Sequence, residues 1–405
     1  MYDEACPVQT QFPFKRGTDA LVPPREYDIF RRAEPVRRVT LWNGQNAWLI
    51  TRWQDVREVL ANNTFSADPD KPGYPTTSPA RGAELKARKT FINMDPPEHT
   101  RLRRMLTREF MVKRIGQLRP MIEELLQELL DDLENKGPGA DLVALVSKPL
   151  PANVISTMLG VPQSDFARLG YLSALRNDHS SKPEDIKAAA EEMVGRLSEI
   201  IDEKTPNSAA GEDLLSRLIE EQIKPGDLSV IEAARLSALL YIAGHETTTN
   251  QIGLGMLTLF RNPDQLAKLK ANPELVGPAV EEMLRYVTLT HLNSARVATA
   301  DAVVAGQLIR AGEPVYPNLA AANYDPDVFK CPHDFDINRA ENPHMAFAYG
   351  VHQCLGQPLA RLELMVFFSE IFKRFPTMEL AVSEEQIRFV TEAQTLSVLE
   401  LPVRW

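Results

Sequence analysis

A mainly α-helical fold with a small β portion is predicted by three features of the 405-residue sequence. Apolar residues recur at three- and four-residue spacing from Ile122 to Leu133. A long apolar run begins behind the Ser229/Glu232 pair, which reads as a capping box. Strand-like residues are confined to a short N-terminal stretch and to 287–318. In chain order, Arg38–Trp42 and Ala47–Thr51 read as two strands, with Asn43-Gly44 supplying the positive φ of a tight hairpin. Pro120 suits the first turn of the 121–133 helix, and Gly137-Pro138-Gly139 stops it. From Ser229 nothing forces a stop before Asn262-Pro263, which allows a helix of about 30 residues or about 45 Å. Residues 287–318, richer in Val and Thr, suggest a few strands, and the last third is crowded with Pro and Asn. No repeat or low-complexity linker interrupts the chain, so one domain over 1–405 is expected.

Composition narrows the class. The chain is 44% apolar and 25% charged, the balance of a globular protein. With 45 basic against 55 acidic residues its net charge is −10, which argues against nucleic-acid binding. The N-terminus is acidic and lacks the apolar stretch of a signal peptide. The most apolar stretch, Leu236–Gly244, is too short to span a bilayer, so no membrane partner and a cytoplasmic location are expected. Only Cys6, Cys331 and Cys354 are present, too few and too far apart for a disulfide framework. Cys6-Pro7 and Cys331-Pro332 read as incidental.

Cys354 differs from the other two. It follows the glycine-punctuated stretch Phe347-Ala348-Tyr349-Gly350-Val351-His352-Gln353 and precedes Leu355-Gly356-Gln357-Pro358, a helix start. A thiol there feels the positive end of the helix and its unpaired N–H groups, which favour the thiolate. One thiolate cannot build a structural zinc site, but it can be the single axial ligand of a haem iron. The spacing Phe-x-x-Gly-x-x-x-Cys-x-Gly at 347, 350, 354 and 356 resembles the haem-thiolate signature of the cytochrome P450 family.

Three further windows are similar to the same family. Glu282 and Arg285 lie three apart on one helix face. The resemblance assigns them, with Arg339, to a buried structural network rather than to catalysis. Ala243-Gly244-His245-Glu246-Thr247 places polar residues inside an apolar helix, which is costly unless they are partnered or used. A zinc-protease reading fails because Thr249 stands where the second histidine belongs. The window resembles the family's oxygen groove. By that match Gly244 leaves room for dioxygen, Thr247 hydrogen-bonds to it and Glu246 relays protons, with Ala243 alongside. Finally, Asp95-Pro96-Pro97-Glu98-His99 begins a charged helix. The resemblance makes His99, Arg103, Arg296 and His352 donors to the propionates of haem b, with Phe347 and Gly356 also at the cofactor and Cys354 as its metal ligand. Ala348 replaces a usual glycine, and Tyr324 replaces a usual arginine.

The resemblance covers the whole chain and implies the family fold, with the long central helix over the haem. It implies a monooxygenase fed by ferredoxin and an NAD(P)H-dependent ferredoxin reductase. Dioxygen would be split and one oxygen inserted into a hydrophobic small molecule, by hydroxylation or epoxidation, in secondary metabolism or xenobiotic oxidation. The pocket is expected near 66–92, 165–190, 288–294 and 391–396, with Phe91, Leu289 and Leu292 as apolar candidates. Phe12-Pro13-Phe14 and Phe91–Pro97 also suggest a likeness to fungal nitric-oxide reductases of the family, an alternative in which NADH is used directly. A haem sensor or carrier without turnover is a second alternative. The basic run Arg101, Arg103, Arg104, Arg108, Lys113 and Arg114 reads either as a solvated helix face or as a dock for an acidic electron donor.

Overall fold

The computed structural model describes residues 10–79, 82, 85, 89–177, 182–290, 292, 294–391 and 395–405. The chain opens with α1 (Glu26–Ala33), β1 (Val36–Thr40), β2 (Asn46–Ile50), α2 (Trp53–Ala61) and β3 (Phe65–Ser66). Helices then dominate. They are α3 (Glu98–Thr107), α4 (Val112–Gly116), α5 (Arg119–Lys136), α6 (Pro149–Leu159), α7 (Phe166–Asn177), α8 (Pro183–Lys204) and α9 (Leu214–Leu218), with β4 (Ala140–Asp141) between α5 and α6. The longest is α10 (Val230–Arg261), followed by α11 (Pro263–Ala271) and α12 (Val276–Tyr286). Strands β5 (Arg296–Ala298), β6 (Ala302–Val304), β7 (Gln307–Ile309) and β8 (Pro314–Pro317) lead to α13 (Leu319–Ala322). Towards the C-terminus lie α14 (Gln357–Arg374), β9 (Glu379–Leu380) and β10 (Pro402–Arg404).

The chain divides into two units. The first, residues 1–102, 277–355 and 389–396, holds the five-stranded sheet β1-β2-β8-β5-β3. β1 and β2 pair antiparallel, Val36 opposite Ile50, and β8 joins β2 in parallel, Trp48 opposite Val315. One face of this sheet buries Trp48, Ile50, Val56, Leu60, Val315 and Met345. The other buries Phe12, Phe30, Leu49 and Tyr316. The hairpin strands, 36–40 and 46–50, are shifted from the expected 38–42 and 47–51. β1 ends at Thr40, Leu41 N donates to Gln45 O, and Gly44 takes φ 80°. Leu41 turns into the core, while Trp42 leaves the strand and donates from Nε1 to Thr76 O. Burial of one residue and a side-chain bond from the next end β1 two residues before the expected Trp42.

The second unit, residues 103–276, 356–388 and 397–405, is built around α10. Its cap is as the sequence predicts: Glu232 N donates to Ser229 Oγ at 3.3 Å, and Ser229 N donates to Glu232 Oε2 at 2.9 Å. The helix runs 32 residues and stops at Asn262, before Pro263. It packs on α6, α7, α8 and α14, so it is apolar on most sides. At Gly253 the helix also comes close to Val398, whose Cγ1 would stand 2.9 Å from an added Cβ. Among the described residues, no helix is long and apolar enough to cross a membrane.

Candidate active site

The loop that carries Cys354 is held by its own backbone. Ala348 N donates to Met345 O, Gln353 N to Gly350 O, and Cys354 N to Phe347 O at 2.9 Å. Two residues take left-handed backbone, Ala348 at φ 57° and Gly350 at φ 75°. At Gly350 only glycine fits, because a Cβ would stand 2.2 Å from Leu60 O. Gly356 then caps α14, and Pro358 sits in its first turn. Cys354 is exposed, and so is Cys331; Cys6 lies outside the described residues.

The basic residues His99, Arg296 and His352 stand in the same unit. His99 is buried, and its ring centroid is 4.4 Å from that of His352. Arg296 is buried as well, and its Nη1 donates to Ala295 O at 2.8 Å. Among the described residues no carboxylate comes within 4 Å of that guanidinium, and burial lowers its pKa, with Tyr74 and Asp95 opposing the shift. A buried cation left in that state is costly unless a ligand neutralises it. The donor set therefore fits the acidic side groups of a haem. Arg103 lies one turn beyond His99 on α3 and is half-buried.

In α10, Ala243 is accessible although most of the helix is buried, and Glu246 and Thr247 are half-buried. Thr247 Oγ1 donates to Ala243 O at 2.7 Å, the back-bond open to a helical threonine. A Cβ at Gly244 would lie 3.7 Å from Ile155, an ordinary contact. His245 points elsewhere: its Nδ1 is 3.0 Å from Ser173 Oγ on α7, and burial pushes its pKa down to about 4.

Glu282, Arg285 and Arg339 are brought together in one buried network. Arg285 grips Glu282 with two bonds of 2.8 Å, and both side chains are 0% exposed. Arg339 Nε donates to Glu282 Oε2 at 3.0 Å. The remaining valences are met by backbone and amide groups. Arg285 donates to Asn323 O and Pro332 O, while Asp336 N and Asn342 Nδ2 donate to Glu282. A buried ion pair is tolerable only with such full satisfaction.

Of the pocket candidates, Phe91, Leu289 and Leu292 are all buried. Phe91 sits 6.3 Å from the His99 ring. The 288–294 and 391–396 segments meet through a bridge between Thr290 and Thr395. Parts of the expected pocket segments, including 291, 293 and 392–394, lie outside the described residues. Sequence reading missed the partners Glu281 and His344, 2.9 Å apart, and Ser173. The signal for the first pair was a histidine just before the cysteine loop beside an acid adjoining Glu282.

The chain is thus mainly helical, with a cysteine loop before α14 and a polar turn in α10. The family model "Cytochrome P450" matches residues 27–175 and 164–403, and the chain belongs to that family. Among relatives, the chain is 42% identical to cytochrome P450-SU2 of Streptomyces griseolus, over 92% of this chain and 91% of that one. It is 39% identical to the vitamin D3 dihydroxylase of the same organism, over 100% of both chains. Among solved structures, cytochrome P450 MoxA from Nonomuraea recticatena superposes with TM-score 0.92 at 38% identity, covering 98% of each chain. The protein is a monooxygenase, an oxidoreductase that incorporates oxygen from dioxygen, and its family uses a haem-thiolate cofactor.

Proposed function

We propose that this monooxygenase oxidises a hydrophobic small molecule, by hydroxylation or epoxidation, with electrons drawn from NAD(P)H through a reductase and a ferredoxin. The buried apolar residues Phe91, Leu289 and Leu292 support a hydrophobic substrate, as does the likeness to a vitamin D3 dihydroxylase. Secondary metabolism or xenobiotic oxidation is the setting such relatives suggest. The cofactor is haem b: Cys354 is its ligand, and His99, Arg103, Arg296 and His352 hold its carboxylates. When bound, it supplies an electron-rich iron centre at which dioxygen is split.

The chain's own part is to deliver protons. The carrying observation is the Ala243–Thr247 turn, where a threonine hydroxyl is fixed at 2.7 Å on a carbonyl beside a half-buried carboxylate. With its hydrogen on Ala243 O, Thr247 Oγ1 presents lone pairs. It can accept a hydrogen bond, and it passes a proton onward only by exchanging the Ala243 contact. Glu246, adjacent and partly solvated, can replenish that proton. The balance is two electrons and two protons per dioxygen, giving oxidised substrate and water.

Thr247→Ala tests this. It should retain substrate binding while product formed per NAD(P)H falls about tenfold or more, with hydrogen peroxide making up the difference. Purified protein given NADH and nitric oxide without ferredoxin should oxidise no appreciable NADH. Rapid turnover in that mixture, with Thr247→Ala still fully coupled under dioxygen, would overturn the reading.

A further inference from the structure

The segment entering the cysteine loop is held by a histidine that no motif singled out. The His344 side chain is 2% exposed, and its Nε2 lies 2.9 Å from Glu281 Oε2 on α12. Its other nitrogen, Nδ1, accepts from Ala346 N at 3.2 Å. A backbone N–H donates only to an unprotonated nitrogen, so Nδ1 is bare and Nε2 carries the proton given to Glu281. Both nitrogens are committed and the tautomer is fixed.

The element behind this pair is rigid, because α12 is anchored by the Glu282–Arg285–Arg339 network. Neighbouring acids of α12 hold alternate residues of one segment. Glu282 takes Asn342 Nδ2 at 3.1 Å, Glu281 takes His344, and His344 N donates to Asn342 O at 2.8 Å. From Ala346 the path continues directly. Phe347 O is the acceptor for Cys354 N, and Ala348 N returns to Met345 O. The backbone that aims Cys354 thus begins at the imidazole.

We propose that Glu281 and His344 form a positioning pair that sets the start of the cysteine loop and, through Phe347 O, the direction of Cys354 Sγ. The pair acts through the backbone of the loop, and the inference rests on Cys354 being the haem ligand. Outer partners that orient a metal's ligand commonly matter nearly as much as the ligand itself.

The test uses holoenzyme and follows the thiolate-type absorption band of the reduced carbon-monoxide complex, with far-UV circular dichroism alongside. His344→Ala and Glu281→Ala should keep parental helicity yet lose that band, converting to the neutral-ligand form about tenfold faster than the parent. Glu281→Gln keeps an oxygen that accepts from Nε2–H and should convert within about twofold of the parent, whereas Glu281→Leu, of similar size but with no acceptor, should convert as fast as Glu281→Ala. A merely space-filling role would make the glutamine and leucine variants alike. Should His344→Ala fail to take up haem, Glu281→Ala still decides, since the imidazole remains in place. Parental conversion in Glu281→Ala overturns the proposal. Cys354→His separates the underlying reading: a thiolate-type band surviving there would remove the ligand assignment itself.

Discussion

Gly350 and Ala348 both take left-handed backbone in the cysteine loop, but they differ in what surrounds them. At Gly350 a Cβ meets a main-chain oxygen, Leu60 O, at 2.2 Å, and backbone cannot swing aside. Ala348 already carries a Cβ at φ 57°, and its methyl packs against the sheet core. Left-handed backbone costs an L-residue roughly 1–2 kcal/mol. Replacing Ala348 by glycine relieves that cost but loses packing and adds chain entropy, and the three nearly cancel. Gly350→Ala should therefore destabilise by about 3 kcal/mol or more, while Ala348→Gly changes stability by less than about 1 kcal/mol. Urea unfolding of the two variants checks this; equal effects would show that steric contact with Leu60 is not what selects glycine. The need for glycine was legible in the spacing around Cys354. The atom that imposes it was not, because Leu60 lies 290 residues earlier in the chain and reaches the loop only through the tertiary fold.

Helix α10 shows which features of an element are written locally. Its cap, its length and its stop depend on neighbouring residues, and all three were readable before the structure. The fate of His245 was not, because its partner Ser173 belongs to α7 and was not among the motif residues. Read from the sequence alone, His245 was only the first letter of a failed zinc motif. Folded, it is buried and neutral, with a pKa near 4 against 6.5 for a free imidazole. Above pH 6.5 neither state binds the proton and the site contributes no pH dependence. As pH falls from 6.5 towards 4 the unfolded chain takes up a proton that the folded one refuses, so stability is lost across that window. The loss is of the order of 3 kcal/mol by pH 4. His245→Gln, which keeps a polar contact for Ser173 without a titrating ring, should flatten the stability profile between pH 6.5 and 4 by a comparable amount. Denaturant melts across that range measure it, and an unchanged slope would mean that His245 charges freely in the fold.

At the scale of the whole molecule, the net charge of −10 opposes the approach of an acidic electron donor, so the ferredoxin proposed above would need a local exception. The sequence located a basic run at 101–114 but could not reveal how much of it is already neutralised. Arg101 is paired with Glu98 at 2.6 Å, Arg108 with Glu221 at 3.3 Å, and Arg114 with the buried Glu109 at 2.8 Å. Among the described residues, Arg104 and Lys113 are exposed with no carboxylate within 4 Å. Beside Lys113 stand Met111 and Val112, 58% and 76% exposed, the apolar contact a docked partner can bury. Paired cations add little to long-range steering because their fields cancel, whereas the unpaired two keep theirs. Arg104→Glu combined with Lys113→Glu should slow reduction by ferredoxin about tenfold at low salt and weaken its salt dependence. Arg108→Glu, which loses a partner already satisfied, should do less. Stopped-flow reduction across a salt series distinguishes the two, with reduction by dithionite as the control that should not change. If the double variant is reduced by ferredoxin as fast as the parent, the electron donor docks elsewhere and the run is a solvated helix face.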